Sequence, residues 1–530
     1  MIKEKFFDRK NYLELLEKRI KHLKDGYCQN VAVTGDEMVG KTSVIFKLLN
    51  RFCDARIIMV YLEIRPEDTS VFIKRFIGSL LYNFLSNSGI AMREDLDFLI
   101  EKSRKFIPKT IEKITSILAA SKKKKKANLF TELLALSDSI HRETGKFCVV
   151  IFDEFQNLEA LGFEHLYREW SKLLITQKNT LYIIISSARF KCANILSKNL
   201  SLLFGNFEVI NVEPFDTRTS EAYLETRIGN LNLDKGLKNF IVNFTGGYPL
   251  YLEVISEALT EPGQEHLADI LESLLFHTAG TLNQKFSNYI KRYLDKPDGN
   301  DFISILHLIA SGRNKTKDIS GILKMTRKEL AENIDCLIET DAITKNGDFL
   351  KINDRVFSFW LRFVYQEKSQ SLTFNAQSQK AKFRDNIEEM IKDFLINAQK
   401  PVTQRLSEVL RLFEDETMQI ERKRVRLNHF REIKQLEFNG RCLKDGIIGR
   451  STDSLWIMCF KREQLNENDI AEFALECKKF RHKLQRKIII TLSDIDSNTR
   501  LRAMEEKIWA WDINNLNQLF DVFSKPRVIA

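Results

Sequence analysis

The chain has 530 residues, of which 44% are hydrophobic and 29% charged, and its formal net charge is +10. This length is more than one hydrophobic core normally organises, so we expect three or four domains, and the scarcity of glycine and proline excludes a disordered or low-complexity protein. No apolar run is long enough to cross a bilayer and the charged N-terminus lacks the apolar centre of a signal peptide, so we expect a cytoplasmic protein without a membrane partner. The eight cysteines are scattered without zinc-site spacing, which favours buried thiols in a reducing compartment.

The first elements along the chain are an amphipathic helix at 11–23 and a short apolar strand at 31–33. The segment that follows, GDEMVGKTS at 35–43, matches the G-x-x-x-x-G-K-T phosphate-binding loop, and a helical pattern continues to residue 52. This strand–loop–helix context predicts a site for a nucleoside triphosphate.

Each residue type in this loop has a role that phosphate chemistry explains. Gly35 and Gly40 allow a tight loop whose backbone N–H groups, including those near Val39 and Ser43, point at phosphate oxygens. Lys41 can reach the β- and γ-phosphates, and the Thr42 hydroxyl can ligate Mg²⁺. We therefore expect ATP and Mg²⁺ as ligands.

Further short apolar strands are predicted at 57–62, 148–152, 181–186 and 207–212, with helical segments between them. This alternation predicts a doubly wound parallel α/β sheet in a domain at 1–215, with a helical insert at about 70–142. The insert contains a lysine run at 122–126, which is either a solvated linker or a contact for an anionic polymer.

Two strand ends carry polar residues that fit catalysis. Asp153 would hold the Mg²⁺ shell and Glu154 would act as general base on the attacking water. Ser187 and Arg189, at the end of the next strand, either sense the γ-phosphate or are a helix-capping serine and a solvent-exposed arginine.

The second half of the sequence predicts three more domains. Helical periodicity alone indicates a lid at 216–296, interrupted by the sharp loop TGGYPL at 245–250. Three helices and a hairpin with an Asn-Gly turn indicate a winged helix at 297–366, whose third helix would begin with a capping box of Thr326 and Glu329. A small α/β domain is expected at 380–530.

Winged helices bind either DNA or proteins. In a DNA complex, Arg327 and Lys328 would enter the major groove, and Lys345 and Lys351 on the wing would touch phosphates. The same third helix carries several carboxylates, which argue against strong groove binding. Further basic clusters, at 422–426 and 478–483, suit phosphate contact or are solvated faces.

Taken together, these motifs resemble the archaeal-type ATPase family, near the STAND and Orc/Cdc6-like branches of AAA+ proteins. The resemblance is carried by FFDR at 6–9, the phosphate-binding loop, VVIFDEF at 149–155, EPF at 213–215 and GGYP at 246–249. It implies that the segment with Phe7 and Arg9 packs against adenine and that Gly247, Tyr248 and Pro249 approach the nucleotide from the lid.

The sequence departs from this family at several positions. Asp36 and Glu37 stand where relatives often have arginine, and Asn206 replaces an arginine that could act in trans, a role for which Arg218 is a distant substitute. The last domain resembles the restriction-endonuclease-like fold often fused to these ATPases.

An active member of that fold needs an acid followed by E-x-K to bind Mg²⁺. Asp445 or Asp453 could be the acid, but Cys459 occupies the glutamate position before Lys461, and a thiol is a poor Mg²⁺ ligand. We therefore expect an inactive, binding domain, although Glu463 could replace the missing glutamate.

These observations favour an ATP-hydrolysing switch whose C-terminal domains dock on DNA or on a partner protein. Family analogy adds defence, mobile-element or genome maintenance as settings. The alternatives are an ATP-gated, Mg²⁺-dependent nuclease and a scaffold that forms homo-oligomers with nucleotide and scarcely turns over.

Overall fold

The structure, a computed structural model, describes residues 6–89, 95–121, 128–200, 207–231, 233–261, 266–367, 376–421, 423–438, 443–480 and 484–529. Several positions named above lie outside these ranges: the lysine run at 122–126, Asn206 (where relatives have an arginine), and residues 422 and 481–483 of the basic clusters. By its contacts the chain divides into residues 1–214 with 339–341, and residues 215–338 with 342–530.

The first unit is built on a parallel sheet whose strands lie in the order β2-β3-β4-β1-β5. The strands are β1 (Asn30–Thr34), β2 (Ile57–Glu63), β3 (Phe147–Asp153), β4 (Thr180–Ser186) and β5 (Phe207–Asn211). All five sequence predictions are confirmed to within a residue or two, because strands covered by helices on both faces are continuous apolar runs. Since the strands are parallel, the ends of β1, β3 and β4 meet at one edge, where the phosphate-binding loop begins.

Nine described helices accompany this sheet. They are α1 (Lys10–Leu23), α2 (Lys41–Arg51), α3 (Thr69–Ser86), α4 (Leu96–Arg104), α5 (Pro108–Ser121), α6 (Leu129–Leu134), α7 (Leu136–Thr144), α8 (Leu166–Thr176) and α9 (Arg189–Asn194). Helices α3 to α7 form the predicted insert and pack their apolar faces into one cluster with β2, β3 and β4. A 3₁₀ helix, Phe155–Leu161, follows β3.

The second unit begins with five helices, in the segment where the sequence predicts a helical lid. They are α10 (Thr217–Ile228), α11 (Lys235–Thr245), α12 (Pro249–Thr260), α13 (Leu267–Leu275) and α14 (Thr281–Leu294). The predicted loop between α11 and α12 is present, and Pro249 occupies the first turn of α12, where its missing N–H costs nothing.

The winged helix follows as predicted. Its elements are α15 (Gly299–Ala310), α16 (Thr316–Leu323), α17 (Arg327–Glu339), β6 (Ile343–Asn346), β7 (Phe349–Ile352) and α18 (Arg355–Trp360). The capping box is confirmed: the Thr326 N–H donates to Glu329 Oε2 at 2.9 Å, and the Glu329 N–H donates to Thr326 Oγ1 at 3.2 Å.

A long helix, α19 (Ala376–Gln399), comes next. The sequence placed most of it in the last domain, but its aromatic residues pack on the lid, with Phe394 on Phe240 and Phe383 on Phe276. Its Lys380 also pairs with Glu272 of α13 at 2.8 Å. We therefore group α19 with the lid.

The last domain is a mixed five-stranded sheet, in the order β10-β11-β12-β13-β14, with a two-stranded hairpin beside it. Its elements are α20 (Val402–Leu410), β8 (Glu416–Ile420), β9 (Lys423–Leu427), β10 (Glu432–Glu437), β11 (Asp445–Arg450), β12 (Leu455–Lys461), α21 (Glu467–Cys477), β13 (Leu484–Thr491), α22 (Ser497–Glu505), β14 (Trp509–Trp511) and α23 (Ile513–Val522). Strands β10, β11 and β12 form an antiparallel meander, and β12, β13 and β14 run parallel through helical crossovers.

None of the helices within the described ranges has both the length and the apolarity that spanning a bilayer requires.

Candidate active site

The phosphate-binding loop connects β1 to α2 and is shaped by two glycines. A Cβ on Gly35 would lie 2.3 Å from the carbonyl oxygen of Val212, just after β5, so a side chain has no room there. Gly40 has φ of 92°, a left-handed conformation that places the first N–H groups of α2 inside the loop. The loop thus offers backbone donors and a helix N-terminus at one point, which suits an anion.

Lys41 lies inside this loop. Its ammonium donates to the carbonyl oxygens of Gly35 at 2.9 Å and Asp36 at 2.7 Å. Burial lowers the pKa of Lys41, and the neighbouring carboxylates, Glu154 and Asp153 first among them, act in the opposite direction. An ammonium has three N–H donors, so one more is available for a phosphate oxygen.

The two residues predicted to hold Mg²⁺ are in direct contact. Thr42 Oγ1 donates to Asp153 Oδ2 at 2.9 Å, and the hydroxyl of Tyr61 on β2 donates to the same oxygen at 2.9 Å. The N–H of Glu154 donates to Asp153 Oδ1 at 2.9 Å, so the buried carboxylate is held at both oxygens. Hydroxyl and carboxylate oxygens are the donor set that Mg²⁺ prefers, so these residues fit that ion.

Glu154 is held by the neighbouring strand end. Its backbone has φ of 51°, a left-handed value that is unusual for a residue with a side chain. Ser187 Oγ donates to Glu154 Oε2 at 2.7 Å, and Gln156 Nε2 donates to the same oxygen at 2.5 Å. Gln156 is in turn fixed by Ser186, whose Oγ donates to Oε1 at 2.7 Å. Glu154 Oε1 faces no hydrogen-bond partner within the described ranges.

Arg189 pairs with an acidic residue of the phosphate-binding loop, and its role in sensing the γ-phosphate stays a prediction. It begins α9, directly after β4, and its Nη2 lies 2.9 Å from Oδ1 of Asp36 in the phosphate-binding loop. The acidic residue that the sequence left unexplained is therefore paired with this arginine.

Arg9 connects three segments around the loop. Its Nη2 donates to the carbonyl oxygens of Val39 at 3.1 Å and Glu213 at 2.5 Å, and its guanidinium lies over the ring of Tyr12 at 5.5 Å. The side chain is buried, so Arg9 supports the loop and the chain after β5. Phe7 lies half-buried at the start of this segment, and its contact with adenine stays a prediction.

Gly247, Tyr248 and Pro249 belong to the second unit. The carbonyl oxygen of Gly247 accepts from the N–H of Phe215 at 2.8 Å, and Tyr248 is buried against Tyr251. Their approach to a nucleotide stays a prediction. Arg218, named as a distant substitute for a trans arginine, contacts Asp494 at 3.3 Å in the same unit.

The residues of the winged helix that were predicted to bind nucleic acid differ in their exposure and in their ion pairs. Arg327 and Lys328 are exposed on α17, where Lys328 lies 3.8 Å from Glu332. Lys345 is exposed on β6. The ammonium of Lys351 donates to the buried carboxylate of Asp521 at 2.6 Å, and its contact with a phosphate stays a prediction.

The positions of a nuclease centre on β11 and β12 are also visible. Cys459 is buried in the apolar cluster beneath α21, and that burial raises its pKa well above the usual value. The ammonium of Lys461 donates to the buried Asp469 at 2.7 Å. Asp445 is exposed and pairs in register with Phe460, whereas Asp453 lies in the turn at the opposite end of the strands. The described residues contain no cluster of three or more His, Cys, Asp or Glu side chains that could hold a metal ion.

Sequence reasoning missed Tyr61 and Gln156. Tyr61 lies within an apolar strand, and Gln156 within an apolar 3₁₀ segment, so neither stands out by pattern. Their positions relative to Asp153 and Glu154 are the signal that could have identified them. Tyr61 pairs with Ile151, two residues before Asp153, and Gln156 follows Glu154 by two residues.

Comparison with known proteins gives one family match and several similar solved structures. Residues 6–255 match the family described as an ATPase domain predominantly from Archaea. A Walker-type ATPase of Pyrococcus abyssi aligns with 20% identity and a TM-score of 0.49, over 68% of this chain and 97% of that one. The ORC2 protein of Aeropyrum pernix aligns with 10% identity and a TM-score of 0.38, over 72% and 94%. AMPPCP-bound DnaA of Aquifex aeolicus aligns with 12% identity and a TM-score of 0.30, over 72% and 96%. Curated protein sequences provide no significant match.

Proposed function

We propose that the chain is an ATP-hydrolysing switch whose C-terminal half docks on a macromolecular partner, since residues 6–255 match the family described as an ATPase domain predominantly from Archaea. The observation that carries the proposal is the convergence of Lys41, Thr42, Asp153 and Glu154 at one edge of the parallel sheet. Within this group, the hydroxyl of Thr42 donates to Asp153 Oδ2 at 2.9 Å.

Hydrolysis follows from the roles that these side chains can take. The loop N–H groups and Lys41 bind the β- and γ-phosphates, while Thr42 and Asp153 hold the metal. Mg²⁺, when bound there, neutralises charge on the phosphate oxygens. Glu154 orients the attacking water through Oε1 and accepts its proton, while Ser187 and Gln156 keep Oε2 fixed.

The C-terminal α/β domain then has a binding role rather than a nuclease role. Its antiparallel meander, helical crossover and parallel strand are the order expected of a restriction-endonuclease-like fold. At the position of the metal-binding glutamate stands the buried thiol of Cys459, and Lys461 is neutralised by Asp469. A thiol there cannot replace a carboxylate as an Mg²⁺ ligand.

The test measures ATP binding and turnover separately. Glu154→Gln should bind a fluorescent ATP analogue as wild type does, yet lose about 10²- to 10⁴-fold in turnover, because the general base is removed while the phosphate contacts stay. Lys41→Ala should lose binding as well. Removal of Mg²⁺ with a chelator should abolish turnover in the wild type.

Glu159→Gln is the matched control, since this carboxylate on the 3₁₀ helix after β3 pairs with Lys191 on the surface. It should leave turnover within about twofold of wild type. Turnover that survives Glu154→Gln would contradict the hydrolytic role of this site and favour a nucleotide-driven scaffold.

A further inference from the structure

The wing of the winged helix is occupied by the last domain. Its turn lies against β8: Asp348 Oδ2 accepts from the Thr417 N–H at 2.7 Å, and Asn346 Oδ1 accepts from the Gln419 N–H at 2.5 Å. A Cβ on Gly347 would lie 2.0 Å from the Thr417 carbonyl oxygen, so the approach is close. A wing held in this way does not project into a groove.

A different basic surface is formed by β9, which pairs with β8, together with β13 and β14. The Lys423 ammonium is 5.4 Å from the ring centre of Trp509, and the Arg486 guanidinium is 4.3 Å from it. Trp509 is half-buried on β14, the last strand of the sheet, and Lys423 and Arg424 are exposed. We call Lys423, Arg424, Arg486 and Trp509 the Trp509 patch.

The cations of the Trp509 patch have no acidic partner within the described ranges, whereas the neighbouring carboxylates each have a cation. Glu421 and Asp512 both pair with Arg500, at 2.9 and 3.0 Å, and Asp415 pairs with Arg426 at 3.4 Å. The patch therefore holds three positive charges that the domain itself does not balance.

Arg486 has a buried donor atom without a hydrogen-bond acceptor among the described residues. Its Nε is buried and donates no hydrogen bond to the described residues. Burial lowers the pKa of Arg486, with no carboxylate acting in the opposite direction. Leaving a buried donor unsatisfied is destabilising, and more so for a charged group, unless a ligand supplies the acceptor.

We propose that the Trp509 patch, and not the wing, is the surface through which this chain binds the phosphate backbone of a nucleic acid. Clustered cations beside an aromatic ring are a common feature of surfaces that bind nucleic acids, because the phosphates pair with the cations. The net charge of +10 agrees with a polyanionic partner. This inference rests on the docking role proposed above and names the partner.

The experiment compares two matched double variants of the full chain, Lys423→Ala/Arg424→Ala in the patch and Arg327→Ala/Lys328→Ala on α17. Each removes two adjacent exposed cations. Fluorescence anisotropy with a labelled duplex and a labelled single strand of one mixed sequence gives the affinity at several salt concentrations. The patch variant should bind at least tenfold more weakly, and the slope of log affinity against log salt should fall by about two, while the α17 variant keeps wild-type values.

A single variant, Arg486→Met, tests the half-buried cation and should weaken binding on its own. Melting temperature and ATP turnover without nucleic acid should be unchanged in the double variants, which separates this inference from the ATPase proposal. The inference is overturned if wild type hydrolyses ATP but binds neither nucleic acid, if only the α17 variant loses binding, or if polyglutamate competes as well as nucleic acid does.

Discussion

The contact of Asp36 with Arg189 explains how the phosphate-binding loop can contain an acidic residue. A carboxylate beside bound phosphates repels them, and at short range this repulsion amounts to roughly 1 kcal/mol or more. The ion pair at 2.9 Å neutralises Asp36 and keeps its charge off the nucleotide. Arg189 thus has two candidate roles, neutralising Asp36 or contacting the γ-phosphate, and they predict different mutational patterns.

If Arg189 neutralises Asp36, Arg189→Ala should weaken ATP binding by about 3- to 10-fold, because the carboxylate loses the cation that lies 2.9 Å from it. The second change in Arg189→Ala/Asp36→Asn should then restore most of the affinity. Titration of a fluorescent ATP analogue into the four proteins of this cycle gives the coupling directly. A sensor role would instead give a loss of turnover in Arg189→Ala that Asp36→Asn does not restore.

At the scale of elements, the conformation of the wing depends on a single glycine in its turn. Gly347 has φ of 64° in the turn between β6 and β7, and the Thr417 carbonyl oxygen occupies the space that a Cβ would take. Gly347→Ala should therefore destabilise the second unit by about 1–3 kcal/mol. Urea unfolding measures this change.

Gly321→Ala provides the comparison for Gly347→Ala. Gly321 lies inside α16 with open space around its Cα, so alanine there should be neutral or stabilising by up to about 1 kcal/mol. Equal stability of the two variants would mean that the wing turn does not lie against β8.

The elements also show why sequence patterns succeeded in one half of the chain and failed in part of the other. Strands β1 to β5 were predicted because they are buried on both faces and apolar throughout. The hairpin strand β9 was missed because its sequence, KRVRL, alternates exposed cations with two buried residues, and a short charged stretch of this kind also fits a solvated helix face.

The residues of the candidate site also fall into two groups, those that motifs predict and those that only the structure identifies. Lys41, Thr42, Asp153 and Glu154 belong to motifs whose spacing is fixed along the chain. Tyr61 and Gln156 act through contacts across strands, and only the register of β2 with β3 and the fold of the 3₁₀ helix bring them to the site.

At the scale of the whole molecule, one buried carboxylate joins the parts of the second unit. Asp521, at the end of α23, is 5% exposed and accepts from Lys351 at 2.6 Å, from Arg527 Nη2 at 2.8 Å, and from Arg355. Arg355 also donates to Asn243 of α11 at 2.9 Å, and Asn243 Oδ1 accepts from the N–H of Arg527 at 3.0 Å. Lid, winged helix and last domain therefore meet at a single charge cluster.

Removing that carboxylate should cost far more than removing an exposed one, because three cations would remain together without their counter-charge. Asp521→Asn should lower the free energy of unfolding of the second unit by about 3–5 kcal/mol. Intrinsic tryptophan fluorescence follows this unit, since four of the five tryptophans lie in it, at 360, 456, 509 and 511.

Asp494→Asn is the matched control: this carboxylate is 81% exposed, pairs with Arg218 at 3.3 Å, and should contribute less than about 1 kcal/mol. Equal unfolding midpoints for the two variants would show that the cluster does not hold the second unit together, and hence that the lid and the last domain are not coupled through it.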